Sequence, residues 1–218
     1  MSTLRPVVRE STPSLIARQL RAAIADGRFA PGQQLAEAEL ARELGVSRGP
    51  LREAMQRLTQ EGLLVSHRNR GLFVMDLDPQ AVRDIYLART AIERAAVELL
   101  INDGGASAES LLDVVAEMRE LAGAPNSTEM SEADLRFHER LVALAASPRL
   151  LRMHETLLTE TRLCLTRMQG TYDDNEKRVA EHDAIARAVL AGDLEQAKTL
   201  LAAHMEDGMQ RVLGETER

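Results

Sequence analysis

Residues 36 to 62, AEAELARELGVSRGPLREAMQRLTQEG, spell two short helices joined by a tight turn, the second basic on its outer side. The first helix is expected from Glu37 to Leu44, with Leu40, Ala41 and Leu44 on one apolar face at the three-and-four spacing of a helix. Gly45 stops it, and Ser47 is placed to cap the next helix. Pro50 is tolerated in that helix's opening turn, where backbone N–H groups lack partners anyway. Leu51, Met55 and Leu58 then face inward, while Arg48 and Arg52 share the opposite face near the N-terminal end. That is the end a recognition helix presents to the major groove of DNA.

Just beyond, Leu63 to Ser66 and Gly71 to Met75 alternate like two strands around the polar tip His67, Arg68, Asn69, Arg70. Such a hairpin is a wing, and its guanidinium groups suit phosphate contacts or the minor groove. The plainer alternative is a three-helix packing unit with a solvated charged face. Turn, cap and wing together argue against it.

PGQQLAEAELARELGVSRGPLREAMQRLTQEGLL followed by NRGLFV resembles the winged helix-turn-helix of the GntR family of bacterial transcription regulators, over residues 12 to 75. The resemblance implies DNA contacts from Ser47, Arg48, Gly49 and Arg52, and from the wing at His67, Arg68, Asn69, Arg70 and Gly71. Relatives often carry an arginine where this chain has Ala38, so one contact is missing and operator preference is expected to differ.

The 218 residues, 44% hydrophobic and 28% charged, exceed the usual length of one domain. No run of about 18 apolar residues occurs, and MSTLRPVVREST lacks the apolar block of a secretion signal, so neither membrane nor export is expected. The expected location is the cytoplasm. A single cysteine, Cys164, excludes an intrachain disulfide and sits between Leu163 and Leu165 as a buried helical position. The net charge of −7 divides unevenly: residues 1–75 hold 11 arginines, no lysine and 7 acidic residues, for +4. Residues 76–218 hold 16 basic and 27 acidic residues, for −11, so the phosphate-attracting charge is confined to the first part. Screening at physiological salt limits the acidic part's reach to about 8 Å.

The second part reads as helix throughout. Asp78-Pro79 starts a helix to about Asn102, and Ser107 opens one ending near Leu121. Ser131 precedes a helix to about Ala146, Ser147-Pro148 starts one to about Gln169, and Asp174 one to Ala191. Gly192-Asp193 separates a last helix ending near Leu213. Ile85, Ala88, Ile92, Ala95, Ala96 and Leu99 supply an inward stripe on the first of these helices. The fold class is mainly α: a winged helix-turn-helix followed by an antiparallel bundle of six or seven helices. Residues 1–11 are expected to form an arm, 12–75 the reader and 76–218 the bundle, with Gly123 to Thr128 as a loop.

Four residues of the bundle concentrate its chemistry. Asp134 and His138 are four apart, hence about 40° apart around a helix, and can point at one ion. His182 and His204 lie ten residues before and about eleven after the turn at Gly192-Asp193, so an antiparallel hairpin returns them to one level. Three imidazoles and a carboxylate suit a divalent cation, zinc first, nickel or another first-row metal next, with positions open to water or ligand. His67 and His154, taken singly, read as structural or surface histidines.

DLRFHERLVALAASPRLL and AEHDAIARAVLAGDLEQAKTLLAAHM resemble the all-helical ligand domain of the FadR subgroup, called FCD, in its metal-binding version. The resemblance implies a metal site at Asp134, His138, His182 and His204, and a small carboxylic acid effector at or beside it. Arg89, in DIYLARTAIE, falls where relatives turn an arginine toward the cavity; its alternative is an ion pair with Glu93 at i+4. The expected protein is a homodimeric, metabolite-responsive regulator, a repressor of a palindromic operator in double-stranded DNA, and not an enzyme. Two alternatives stand beside it: a regulator in which the cation is the signal, and, less favoured, a metal-dependent hydrolase, for which no HExxH base is present.

Overall fold

Helix α1 (Thr12–Ala25), α2 (Glu37–Glu43) and α3 (Arg48–Gln60) bury Ile16, Leu20, Ile24, Leu40, Leu51, Met55 and Leu58 against one another. The computed structural model describes residues 11–25, 27–76, 78–104, 108–123, 128–167 and 175–216. It divides into two units, Met1–Asp76 and Leu77–Arg218. Between α2 and α3 the chain closes as a two-bond helix terminus. Val46 N–H donates to Ala41 O at 3.0 Å, Gly45 N–H to Arg42 O at 3.3 Å, and Gly45 takes φ of 64°. Ser47 occupies the N-cap position of α3, yet its hydroxyl makes no cap bond. Of the two N–H groups that a cap accepts from, the second and third of the helix, one is missing because the third residue is Pro50.

The wing is a three-stranded sheet rather than a lone hairpin. Strand β1 (Gln34–Leu35) lies beside β3 (Gly71–Val74), which pairs in turn with β2 (Leu64–His67), all antiparallel. The register sets His67 opposite Gly71, leaving residues 68–70 as the loop, and Asn69 (φ 62°) and Gly71 (φ 96°) supply its left-handed steps. Two residues are too few to show alternation, which is why β1 left no periodic trace in the sequence.

The second unit contains α4 (Pro79–Asn102), α5 (Glu109–Leu121), α6 (Thr128–Leu144), α7 (Pro148–Arg167), α8 (Asn175–Leu190) and α9 (Leu194–Thr216). No described helix is long and apolar enough to cross a membrane. Helix α4 is the hub, packing on α6, α7, α8 and α9. Its start is fixed by Asp78, whose side chain accepts from Ala81 N–H at 2.7 Å. Of the expected stripe, Ile85, Ile92 and Ala96 are buried and Ala88 and Ala95 half-buried, but Leu99 is 45% exposed, and the inward positions also include Val82, Tyr86, Arg89, Glu93, Val97 and Leu100. A buried ion pair occupies places that an apolar count assigns to solvent.

Helix α6 begins earlier than Ser131, because fully buried Met130 draws its first turn into the core, and it ends at Leu144 before Ala146, which takes φ of 51°. Helix α9 runs past Leu213 to Thr216. Cys164 is buried. Residues 1–10 of the expected arm at 1–11, residues 124–127 of the expected loop from Gly123 to Thr128, the opening at Ser107, the end at Gln169 and the start at Asp174 lie outside the described residues.

Candidate nucleic-acid interface and candidate metal centre

The outer face of α3 carries Arg48, Gly49 and Arg52, all exposed, with Ser47 exposed just before it. Arg48 has no side-chain partner among the described residues, whereas Arg52 donates from Nε to Glu37 Oε1 at 2.7 Å. A side chain at Gly49 would meet nothing within 4 Å, so the protein's own packing does not demand glycine there. Not every arginine of this unit faces outward to solvent. Arg21 binds Glu61 at 2.7 and 2.8 Å, and Arg57 bridges Glu53 (2.6 Å) and Ser14 (2.9 Å), so these two brace the fold.

At the wing, Arg68, Asn69 and Arg70 are exposed. His67 meets the Phe73 ring edge-on at 4.9 Å, and the Arg70 guanidinium lies 5.3 Å from that ring's centre. Gln34 of β1 donates from Nε2 to Arg70 O at 2.6 Å and pins the tip. Gln34 and Glu37 were not legible as site residues: the first sits in a two-residue strand, and the second reads as an ordinary acidic residue in a helix's first turn.

In the bundle, α6 supplies Asp134 and His138, α8 His182 and α9 His204, each buried, with ligand atoms all within 4.8 Å of one another. The hairpin that sets their level is closed like the α2–α3 turn. Gly192 takes φ of 70°, Asp193 N–H donates to Ala188 O at 3.0 Å, and Asp193 then caps α9 by accepting from Gln196 N–H at 3.0 Å. His138 Nε2 lies 3.2 Å from His204 Nε2 and 3.9 Å from Asp134 Oδ2, and His182 Nε2 lies 3.5 Å from Asp134 Oδ1. Two donors each about 2.1 Å from one ion stand about 3 to 4 Å apart, so these spacings suit a shared cation.

The outer partners decide which nitrogens point inward. His182 Nδ1 lies 2.8 Å from Arg178 O, a carbonyl that can only accept, so Nδ1 carries the proton and Nε2 presents a lone pair. That Nε2 is buried and has no hydrogen-bond partner among the described residues. His138 Nδ1 lies 2.6 Å from Glu93 Oε2, and His204 Nδ1 lies 2.9 Å from Glu181 Oε2. With protons donated to those carboxylates, the two Nε2 lone pairs oppose each other at 3.2 Å, an arrangement that a cation relieves. The residues therefore fit a divalent metal.

Electrostatics agree. Burial, opposed by Glu93, holds His138 below the ordinary imidazole range; burial and neighbouring His204 hold His182 well below it. Both therefore stay neutral, as metal ligands must. Burial presses Asp134 upward, but His182, Arg178 and His138 outweigh it and hold the carboxyl far below the usual carboxylate range.

Glu93, which the sequence offered only as a partner for Arg89, is the node of a second layer. Its fully buried carboxylate takes Arg89 at 3.1 and 3.2 Å, His138 at 2.6 Å and His154 Nε2 at 2.8 Å. Burial alone would raise its pKa; His138 and Arg89 lower it well below the ordinary value. Arg89 is thus in the ion pair named as its alternative, and His154 is a structural histidine of the core.

Residues 12–74 match the family described as bacterial regulatory proteins, gntR family, and residues 84–207 match the FCD domain. The chain is 32% identical over 189 residues to the HTH-type transcriptional regulator YdhC of Bacillus subtilis (strain 168), covering 85% of this chain and 84% of that protein. It is 32% identical over 199 residues to the HTH-type transcriptional repressor GlaR of Escherichia coli (strain K12), covering 86% and 90%. Among solved structures, a GntR transcriptional regulator from Rhodococcus sp. RHA1 superposes with a TM-score of 0.79 at 29% identity, over 94% of this chain and 99% of that one.

Proposed function

The chain belongs to the gntR family of bacterial DNA-binding transcription regulators and carries an FCD domain, and from that premise we propose that it is a metal-loaded, carboxylate-responsive repressor acting as a homodimer in the cytoplasm. Its families and relatives regulate transcription and are not enzymes. In this reading residues 12–75 read DNA, with Ser47, Arg48, Gly49 and Arg52 in the major groove and His67 to Gly71 along the backbone or minor groove. One recognition helix covers a half-site, so the protein acts as a two-fold dimer on a palindromic operator.

Asp134, His138, His182 and His204 would hold the cation, zinc first. The observation that carries this is the forced tautomer of His182, which leaves a buried, unbonded lone pair facing three other potential ligands. When bound, the metal supplies a Lewis-acidic point to which a small carboxylic acid can attach. Arg89 belongs to the same system, its guanidinium reaching His138 through Glu93.

The test is calorimetric titration of small carboxylic acids into metal-loaded and metal-stripped protein, followed by DNA binding with each hit. The duplex is one selected by the wild-type protein from a randomised library. An effector should bind only the loaded form and change duplex affinity about 5- to 150-fold, a coupling of about 1 to 3 kcal/mol. A hit that binds both forms equally sinks the metal-centred reading. Duplex affinity that tracks metal alone, with every acid silent, assigns the signal to the cation.

A further inference from the structure

We propose that Glu37 is a specificity-determining positioning residue: it holds Arg52 so that the outer edge of the guanidinium is presented to a base. The inference rests on the reading of α3 as the recognition helix. Arg52 is 67% exposed, its one carboxylate contact among the described residues is from Nε to Glu37 Oε1 at 2.7 Å, and Glu37 belongs to α2, fifteen residues earlier. An exposed pair of this kind adds little to folding, about 1 kcal/mol at most. Its effect lies in what it leaves available.

A guanidinium has two edges for bidentate bonding, one made by Nε with one Nη, the other by the two Nη groups. With Nε committed to Glu37, the Nη edge remains, and it matches the O6 and N7 acceptors of guanine in the major groove. The long arginine side chain carries much rotamer entropy, which must be lost on contact with a base. A partner that restricts it beforehand moves part of that loss out of the binding step. Arg48, on the same face, has no such partner among the described residues and is the internal contrast.

The experiment measures affinities of the full-length protein for the library-selected duplex and for a scrambled duplex of equal composition, at matched salt. The variants are Glu37→Ala, Glu37→Gln, Arg52→Ala and the double variant Glu37→Ala with Arg52→Ala. Glu37→Ala should lower the ratio of selected to scrambled affinity about 5- to 10-fold, the scale of part of one bidentate base contact. Glu37→Gln, whose amide oxygen still accepts from Nε, should retain the ratio within about 2-fold. In the Arg52→Ala background the Glu37→Ala effect should vanish. Arg52→Ala that leaves the ratio unchanged overturns the reading of α3 itself. Arg52→Ala that lowers the ratio, with Glu37→Ala either without effect or equally damaging in both backgrounds, overturns only the role of Glu37.

Discussion

The reader and the bundle place their candidate chemistry at opposite extremes of burial. In the reader, Arg48, Arg52, Arg68 and Arg70 stand exposed over a small apolar core; Arg52 is held by one bond to Glu37, and Arg70 by Gln34 at its carbonyl and the Phe73 ring beside its guanidinium. In the bundle, Asp134, His138, His182, Glu93 and Arg89 are buried and bonded through two layers. Charges that meet DNA keep their hydration until the ligand arrives. Charges buried in the bundle are desolvated permanently, so each requires a partner from the fold. Damage to the first set should therefore alter binding with little effect on stability, and damage to the second should alter stability itself.

The largest effect expected from this contrast is that of Glu93→Ala. It leaves buried Arg89 without its carboxylate and removes the partner of His138 and His154, which costs about 3 to 5 kcal/mol. Hydrogen exchange on the full chain should show lost protection in α4, α6 and α7, with α1 and α3 retaining theirs. Equal loss in both units would erase the distinction.

A smaller effect is expected from acid on the metal-stripped protein. His138 and His182 are held below the ordinary value of about 6.5, so the unfolded chain binds protons that the native chain refuses as pH falls beneath it. Stability is then lost downward from that value, at about 1.4 kcal/mol per pH unit for each histidine that stays neutral. Glu93 and Asp134 act the same way only at lower pH, where carboxylates of the unfolded chain begin to protonate. Scanning calorimetry from about pH 7.5 to 5.5 should show the bundle's transition falling, and added zinc should oppose the fall. A transition insensitive to pH in this range contradicts the buried neutral histidines.

The smallest effect is expected from Ser47→Ala. Loss of a helix cap ordinarily costs about 0.5 to 2 kcal/mol, but this hydroxyl makes no cap bond, so unfolding should change by less than about 0.5 kcal/mol. Affinity for the selected duplex should fall nonetheless. A clear drop in melting temperature would mean the hydroxyl does cap α3.

The sequence made the two regions legible for different reasons. Helix-turn-helix grammar is local: Gly45, Ser47 and the Leu51, Met55, Leu58 face all lie within fifteen residues, and local backbone preferences carry them. The buried cluster of Asp134, His138, His182 and His204 was legible through i, i+4 spacing and the hairpin at Gly192, both consequences of helical geometry. What stayed hidden was tertiary. Glu93 is brought to His138 across 45 residues and to His154 across 61, and no periodicity encodes that approach. The inward face of α4 was legible at Ile85, Ile92 and Ala96, but the buried Arg89–Glu93 pair beside them was not, because an apolar count treats both residues as solvent-facing.

The α8–α9 hairpin has a consequence for how this gene can vary. His182 and His204 are set level by the number of residues on either side of Gly192, and each residue added to or removed from a helix turns the remainder of that helix by about 100° and shifts it about 1.5 Å. Amino acids on the outer sides of these helices can be exchanged widely, but a one-codon insertion or deletion between the two histidines would swing a ligand out of the cluster. Over this interval the level of the two imidazoles is set by length.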